Sequence, residues 1–216
     1  MRMSGKSMDF RSLLDKAASS HGHLCGGMPL GVRMSIVGLR ELDTIDPSKR
    51  HDLIVFAEID RCITDAISVA TGCTPGRRNL KLVNYGKFAA TFVNTSNGRA
   101  VRISLRKDAI NSAIRFAKRN GWIAPGERIE EFSEREKEII IRAYTEMPET
   151  DLIVVEKVKV KVPSEDLPSR PTHIVSCNLC GESIFDHKEI LREGRVFCRS
   201  CALGAYYEKN QEDRLD

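Results

Sequence analysis

Apolar residues near the start of the chain recur three and four positions apart, which is the spacing of an amphipathic helix. The first such segment covers residues 8–20 and stops before a glycine-rich turn, residues 21–27 (HGHLCGG). Pro29 stands where a second helix would begin, because proline has no N–H to donate and the first helical turn needs none. This second helix is predicted to close between Asp43 and Pro47.

Beyond residue 50 the pattern switches between strands and helices. A short apolar run, LIVFAEI, is typical of a buried strand, and Gly72 ends the helix that follows it. Asn97-Gly98 favours a tight hairpin turn, because both residues tolerate positive φ. The predicted elements are strands over residues 53–59, 88–94, 100–106 and 151–162, and helices over residues 62–70, 108–120 and 133–144.

Helices and strands that are mixed with a hairpin predict an α+β core with an antiparallel or mixed sheet, rather than a doubly wound fold. The last strand alternates charged and β-branched residues, so one face meets water and its lysines discourage edge pairing. Three prolines and little apolar content then mark a linker. The predicted domains are residues 1–163 for the core, 164–172 for the linker and 173–216 for a small C-terminal domain.

Four cysteines near the C-terminus carry the strongest chemical signal. Two C-x-x-C pairs, 17 residues apart, have the spacing of a Cys₄ zinc module of the treble-clef or zinc-ribbon type; they are Cys177, Cys180, Cys198 and Cys201. Four thiolates close the shell of Zn²⁺, so this site is predicted to be structural or to serve docking. So short a segment buries little core, and the ion would supply most of its stability. His187 is not needed as a ligand, and no role is assigned to His173.

A second group of metal-binding residue types surrounds the glycine-rich turn. His23 and Cys25 lie two residues apart, Cys62 opens the helix after the first strand, and Cys73 follows Gly72. Thiolates and imidazoles together suit a transition metal. For Cys62 alone, ordinary core packing is an equally good interpretation.

Two aspartates flank Cys62 in the sequence. Asp60 and Asp65 are candidates to accept a hydrogen bond from a metal-bound histidine or to accept a proton. The alternative for Asp60 is capping of the following helix.

Composition narrows the functions further. The chain has 216 residues, of which 41% are hydrophobic and 30% charged, as in soluble globular proteins. No apolar run is long enough to span a membrane and no secretory signal is recognised, so a cytoplasmic location is expected. Thiols stay reduced there, which favours metal binding over disulfides for the seven cysteines.

Charge gives little guidance about partners. The net charge of +4 permits an anionic partner without requiring one. Arg77, Arg78 and Lys87 lie in a stretch rich in glycine and threonine that could hold an anion, and an ordinary solvated loop explains them equally well.

Three segments together resemble the FmdE family, whose name comes from a component of formylmethanofuran dehydrogenase. They are HGHLCGG at residues 21–27, DRCITDAISVATGCTPGRRNL at residues 60–80 and NYGKFAATF at residues 84–92. The resemblance is best over residues 13–106 and implies an α+β core that dimerises and binds zinc or another transition metal. By motif, it implies that the ligands are His23, Cys25, Cys62 and Cys73, with His21 next in line.

Three functions are consistent with these features. The first is a metal-binding accessory protein, expected as a homodimer, which delivers a metal or cofactor or docks on an oxidoreductase. The second is a stand-alone metal-dependent enzyme, and the third a nucleic-acid-binding regulator that uses the Cys₄ module. Acidic residues balance the basic ones in that module, so protein docking is favoured over binding to phosphates.

Overall fold

The computed structural model describes residues 9–46 and 50–208. The first predicted helix begins at Met8, and the second is predicted to close no later than Pro47. Both residues lie outside these ranges. The chain divides into two compact units, Met1–Lys161 and Val162–Asp216. No helix among the described residues is long and apolar enough to cross a membrane.

The larger unit combines a five-stranded sheet with helices. Its elements are α1 (Phe10–His21), α2 (Gly27–Glu41), β1 (Leu53–Ala57), α3 (Cys62–Thr71), β2 (Leu80–Leu82), β3 (Ala89–Asn94), β4 (Ala100–Leu105), α4 (Ala109–Arg119), α5 (Glu134–Glu146), α6 (Glu149–Leu152) and β5 (Ile153–Val158). The strand order is β2-β1-β3-β4-β5, in which β2 runs parallel to β1 and the other pairs are antiparallel. The sheet is therefore mixed, and the predicted α+β class is confirmed.

Local signals in the sequence fix the ends of several helices. Gly22 ends α1 and Gly72 ends α3, each with positive φ, a conformation that costs glycine nothing. At the start of α5, the Ser133 side chain accepts a hydrogen bond from the Glu136 N–H. The Glu136 carboxylate accepts one in return from the Phe132 N–H, one residue before the cap. The two bonds resemble a capping box, except that the glutamate accepts from the residue before the cap rather than from the cap residue itself.

The last strand is shorter than its sequence pattern predicts. Residues 149–152 form α6 instead, and β5 ends at Val158. Val158 pairs with Ala100, the first residue of β4, so the neighbouring strand offers no partner for residues beyond it. As expected from its charged face, β5 lies at an edge of the sheet.

Two glycines allow α2 to lie unusually close to its neighbours. A Cβ atom on Gly31 would lie 2.6 Å from the backbone oxygen of Ile63 in α3. A Cβ atom on Gly38 would lie 2.6 Å from the Phe92 ring on β3. Any larger side chain at these positions would push α2 away from α3 or from the sheet.

The smaller unit contains two hairpins and one short helix. Its elements are β6 (Ile174–Ser176), β7 (Ser183–Phe185), β8 (Ile190–Arg192), β9 (Arg195–Phe197) and α7 (Arg199–Leu203). The strands pair as β6 with β7 and β8 with β9, both antiparallel. One 3₁₀ turn, Ser164–Asp166, lies in the segment that the sequence predicts to be a linker.

Candidate metal centres

The smaller unit gathers its four C-x-x-C cysteines into one Cys₄ centre. Cys177 and Cys180 follow β6, Cys198 caps α7 and Cys201 lies within that helix. Their sulfur atoms all lie within 4.8 Å of one another. Backbone N–H groups point at these sulfurs, as from Cys198 to Cys177 at 3.3 Å and from Cys201 to Cys198 at 3.4 Å. Such N–H···S bonds favour thiolates, the form that zinc binds.

The thiols of the Cys₄ centre differ in acidity when no ion is present. The backbone N–H groups of Cys180 and Cys198 lower the pKa of Cys177 to about 6. The hydrogen bond with Cys198 is the main reason that the pKa of Cys201 rises to about 12. Four thiols this close cannot all ionise together, because like charges repel. A divalent cation removes that obstacle, so the centre fits zinc chemically.

In the larger unit, His21, Cys25 and Cys62 form a second group, hereafter the His/Cys cluster. Their ligand atoms also lie within 4.8 Å of one another, and all three residues are half-buried. His21 is the last residue of α1, Cys25 lies in the glycine-rich turn and Cys62 is the first residue of α3. Below them, the helices bury a small apolar cluster that includes Leu14, Met28, Val32 and Ala66.

The ring of His21 is held in a defined orientation. Its Nδ1 donates a hydrogen bond of 2.8 Å to the carboxylate of Asp65, so Asp65 rather than Asp60 acts as the acceptor that the sequence suggested. Its Nε2 is buried and has no hydrogen-bond partner. Buried nitrogens are rarely left without a partner. A carboxylate on one ring nitrogen and a metal on the other is the usual environment of a metal-bound histidine.

The structure places the other two motif residues differently. His23 is exposed, and its ring centroid lies 4.6 Å from that of His21. Cys73 is only 1% exposed, and its sulfur lies 3.9 Å from the backbone oxygen of Leu53 in the main core. Burial raises the pKa of the Cys73 thiol. The structure thus brings His21, Cys25 and Cys62 together, with His23 next to them, and keeps Cys73 apart.

Solvent reaches the His/Cys cluster from two sides. A cleft of about 500 Å³ is lined by His23 and Cys25, and by residues of α5. A second depression of about 430 Å³ is lined by His21, Cys62 and Asp65. Partial burial, followed by the nearby Cys25 thiol, raises the pKa of Cys62 in the absence of metal. An ion held by three protein ligands here would keep a position open to solvent.

The proposed anion loop is largely occupied with its own hydrogen bonds. The backbone N–H of Arg77 donates to the Thr74 hydroxyl, and that of Thr74 donates to the Asn79 side chain. Lys87 lies over the Tyr85 ring, 5.8 Å from its centre. Anion binding by Arg77, Arg78 and Lys87 stays a prediction.

Two family models match the chain. The model described as FmdE, molybdenum formylmethanofuran dehydrogenase operon, matches residues 20–154, which include the whole His/Cys cluster. The model described as prokaryotic dksA/traR C4-type zinc finger matches residues 170–207, which include all four cysteines of the Cys₄ centre.

Two known proteins are similar over most of the chain. A protein of Archaeoglobus fulgidus described as a probable S-adenosyl-L-methionine-binding protein is 31% identical over an alignment of 208 residues, which covers 90% of this chain and 53% of that protein. The chain therefore spans about half the length of this curated relative. The crystal structure of a tungsten formylmethanofuran dehydrogenase FmdE-like protein from Syntrophus aciditrophicus superimposes with a TM-score of 0.62 at 22% identity. The match covers 96% of this chain and 100% of the other, and supports the same fold.

Proposed function

Because the chain belongs to the FmdE family and carries a C4-type zinc finger, we propose that it is a metal-binding accessory protein with two unlike metal centres. The Cys₄ centre holds a structural zinc ion. The His/Cys cluster holds a zinc or other transition-metal ion with an exchangeable ligand. Two observations together carry this assignment: a ring nitrogen of His21 lies within 4.8 Å of the Cys25 and Cys62 sulfurs, and its Nε2 is buried without a hydrogen-bond partner.

The ligand set determines the chemistry of the proposed centre. One imidazole and two thiolates suit zinc and several other first-row metals. The His/Cys cluster supplies three ligands, and the fourth position is open to water, to His23 or to a group from a partner or substrate. An ion with an exchangeable ligand can be delivered, or can bind a cofactor, which fits an accessory role. The same open position keeps a stand-alone metal-dependent enzyme as the alternative.

The zinc module is the proposed docking element. Several large apolar side chains are exposed on its surface: Ile174, Leu179, Phe185, Leu191, Leu203, Tyr206 and Tyr207. Exposed apolar and aromatic groups of this kind favour contact with protein over contact with phosphates. The occupant is a component of an oxidoreductase or a second copy of the chain.

Replacement of Cys25 by alanine is expected to remove one equivalent of bound metal from the full chain and leave its fold intact. The thiol is half-buried, so its loss costs little packing, whereas two remaining ligands hold an ion poorly. Elemental analysis after dialysis against a metal-free buffer measures the equivalents, and circular dichroism measures the fold.

Cys73→Ala is the matched control for this experiment. It removes a cysteine that the family resemblance also implies as a ligand but that lies in the core, away from the His/Cys cluster. Its metal content should equal that of the wild type. If Cys73→Ala loses the equivalent and Cys25→Ala keeps it, the proposed ligand set is wrong.

A second candidate function is binding of S-adenosyl-L-methionine in the cleft beside Cys25. It rests on the description of the Archaeoglobus relative and on the lining of the cleft. Ile110, Ile140 and Phe132 offer apolar surface for an adenine ring, and Glu134 and Glu138 offer carboxylates for a sulfonium and an ammonium group. Phe132 is 86% exposed, so the face of its ring is accessible to a base that stacks on it.

Isothermal titration of the full chain with S-adenosyl-L-methionine tests this candidate. The wild type is expected to bind one equivalent, and Phe132→Asn to bind about 5- to 150-fold more weakly, since an aromatic contact with a base contributes about 1–3 kcal/mol. Asparagine tolerates the positive φ of 62° at this position, so the variant should fold normally. An absence of heat, or equal affinities for the two proteins, would remove the candidate.

A further inference from the structure

The smaller unit contains a second set of metal-binding residue types, apart from its cysteines. His173 precedes β6, and His187 and Glu189 lie between β7 and β8. Their ligand atoms all lie within 4.8 Å of one another, and we call this group the His/Glu cluster. His173 and Glu189 are 16 positions apart in the sequence, so the fold rather than the local sequence assembles this cluster.

The distances within the His/Glu cluster match those between ligands of one ion. His173 Nε2 lies 2.9 Å from Glu189 Oε1, and His187 Nδ1 lies 3.9 Å from the same oxygen. Two ligands bound tetrahedrally at about 2.1 Å are separated by roughly 3.4 Å, which lies between these values. Because an imidazole binds a metal in the plane of its ring, one of the two stacked rings would have to rotate to bring all three donors onto one ion.

The hydrogen bond between His173 and Glu189 involves only one of the two carboxylate oxygens. Glu189 is only 15% exposed, and its Oε2 is buried without a hydrogen-bond partner. The two imidazole rings stack 3.9 Å apart and nearly parallel, at 12°. Two imidazoles and a buried carboxylate oxygen therefore place three potential metal donors close together.

We propose that His173, His187 and Glu189 bind a divalent transition-metal ion, Zn²⁺ in the first instance. Two imidazoles and one carboxylate are a ligand set that zinc accepts with a fourth position left to water. His187 is 51% exposed and His173 31%, so solvent can fill that position. The ion would tie the residue before β6 to the segment between the two hairpins, on a different set of ligands from the Cys₄ centre.

Equilibrium dialysis of the full chain against micromolar Zn²⁺ tests the proposal. The wild type is expected to retain one equivalent more than the double variant His173→Phe/His187→Asn. Phenylalanine keeps an aromatic ring in the stack, and asparagine tolerates the positive φ of 55° at residue 187. Both proteins keep the Cys₄ centre and the His/Cys cluster, so the difference reports this cluster alone and is independent of the proposed function.

Two single variants control for misfolding of the double variant and for zinc that binds to an exposed histidine elsewhere. Glu189→Gln keeps the size of the side chain and should lose the same equivalent, even if the double variant folds poorly. His51→Ala removes an exposed histidine of the larger unit and should lose nothing. Equal zinc content in the wild type and Glu189→Gln would overturn the proposal, as would an equal loss from His51→Ala.

Discussion

Replacement of Cys177 by serine is expected to unfold the smaller unit while the larger unit stays folded. Among the described residues of the smaller unit, the only buried apolar side chains are Cys177 and Ile184, so hydrophobic burial contributes little to its stability. Binding of a structural zinc ion contributes about 10–16 kcal/mol in modules of this kind. Loss of one thiolate weakens the centre that supplies nearly all of that stability.

Elemental analysis and limited proteolysis measure the outcome. The variant should lose one zinc equivalent and expose residues 162–208 to cleavage, with the larger unit protected. Leu179→Ser is the matched control, because Leu179 lies between two ligands and is 66% exposed. Retention of zinc by Cys177→Ser, or simultaneous unfolding of the larger unit, would contradict this account.

Light scattering of the same samples examines the docking surface. If the exposed apolar side chains of the zinc module join two copies, the wild type has twice the 24.2 kDa mass of one chain and Cys177→Ser does not. A wild type that remains at the mass of one chain leaves another protein as the proposed occupant.

The Cys₄ centre and the His/Cys cluster differ in how well the sequence predicts them. The Cys₄ ligands lie within 25 residues, Cys177 to Cys201, so their spacing nearly determines their geometry. The His/Cys cluster joins residues that are more than 40 positions apart, and only the packing of α1 against α3 shows that His21 belongs with Cys25 and Cys62.

Helix geometry explains why Cys73 is kept apart. Cys62 begins the ten-residue helix α3 and Cys73 follows its end. At 1.5 Å per residue the two lie about 15 Å apart along the helix axis. The segment at residues 60–80 that resembles the FmdE family contains both cysteines, but their order in the sequence does not determine the distance between them in the fold.

Two of the features that sequence patterns missed depend on distant partners. β2 has only three residues and exists because β1 pairs with it. The His/Glu cluster depends on the fold that brings His173 beside Glu189. In contrast, the helix caps at Gly22, Gly72 and Ser133 are local, and the helix end that the sequence predicts at Gly72 is confirmed.

Gly31→Ala is expected to destabilise the larger unit and to release the metal of the His/Cys cluster together. The new Cβ would lie 2.6 Å from the Ile63 oxygen and 2.7 Å from Ala66 Cβ, so α2 must move away from α3. Alanine stabilises an open helix position by about 1 kcal/mol relative to glycine, whereas overpacking costs about 1–3 kcal/mol. The clash is therefore expected to outweigh the gain in helix propensity, so that the free energy of unfolding falls.

The loss of stability in Gly31→Ala is expected to be accompanied by a loss of bound metal. Cys25 precedes α2 and Cys62 begins α3, and a Cβ on the intervening Gly27 would already lie 2.9 Å from Cys62 Cβ. A shift of α2 therefore separates two ligands without altering either.

Chemical denaturation and elemental analysis of Gly31→Ala should show both losses, with the zinc of the Cys₄ centre retained. Gly76→Ala, where a Cβ meets nothing within 4 Å, should show neither. A Gly31→Ala protein that is less stable but holds the full metal complement would mean that the position of α2 does not control the His/Cys cluster.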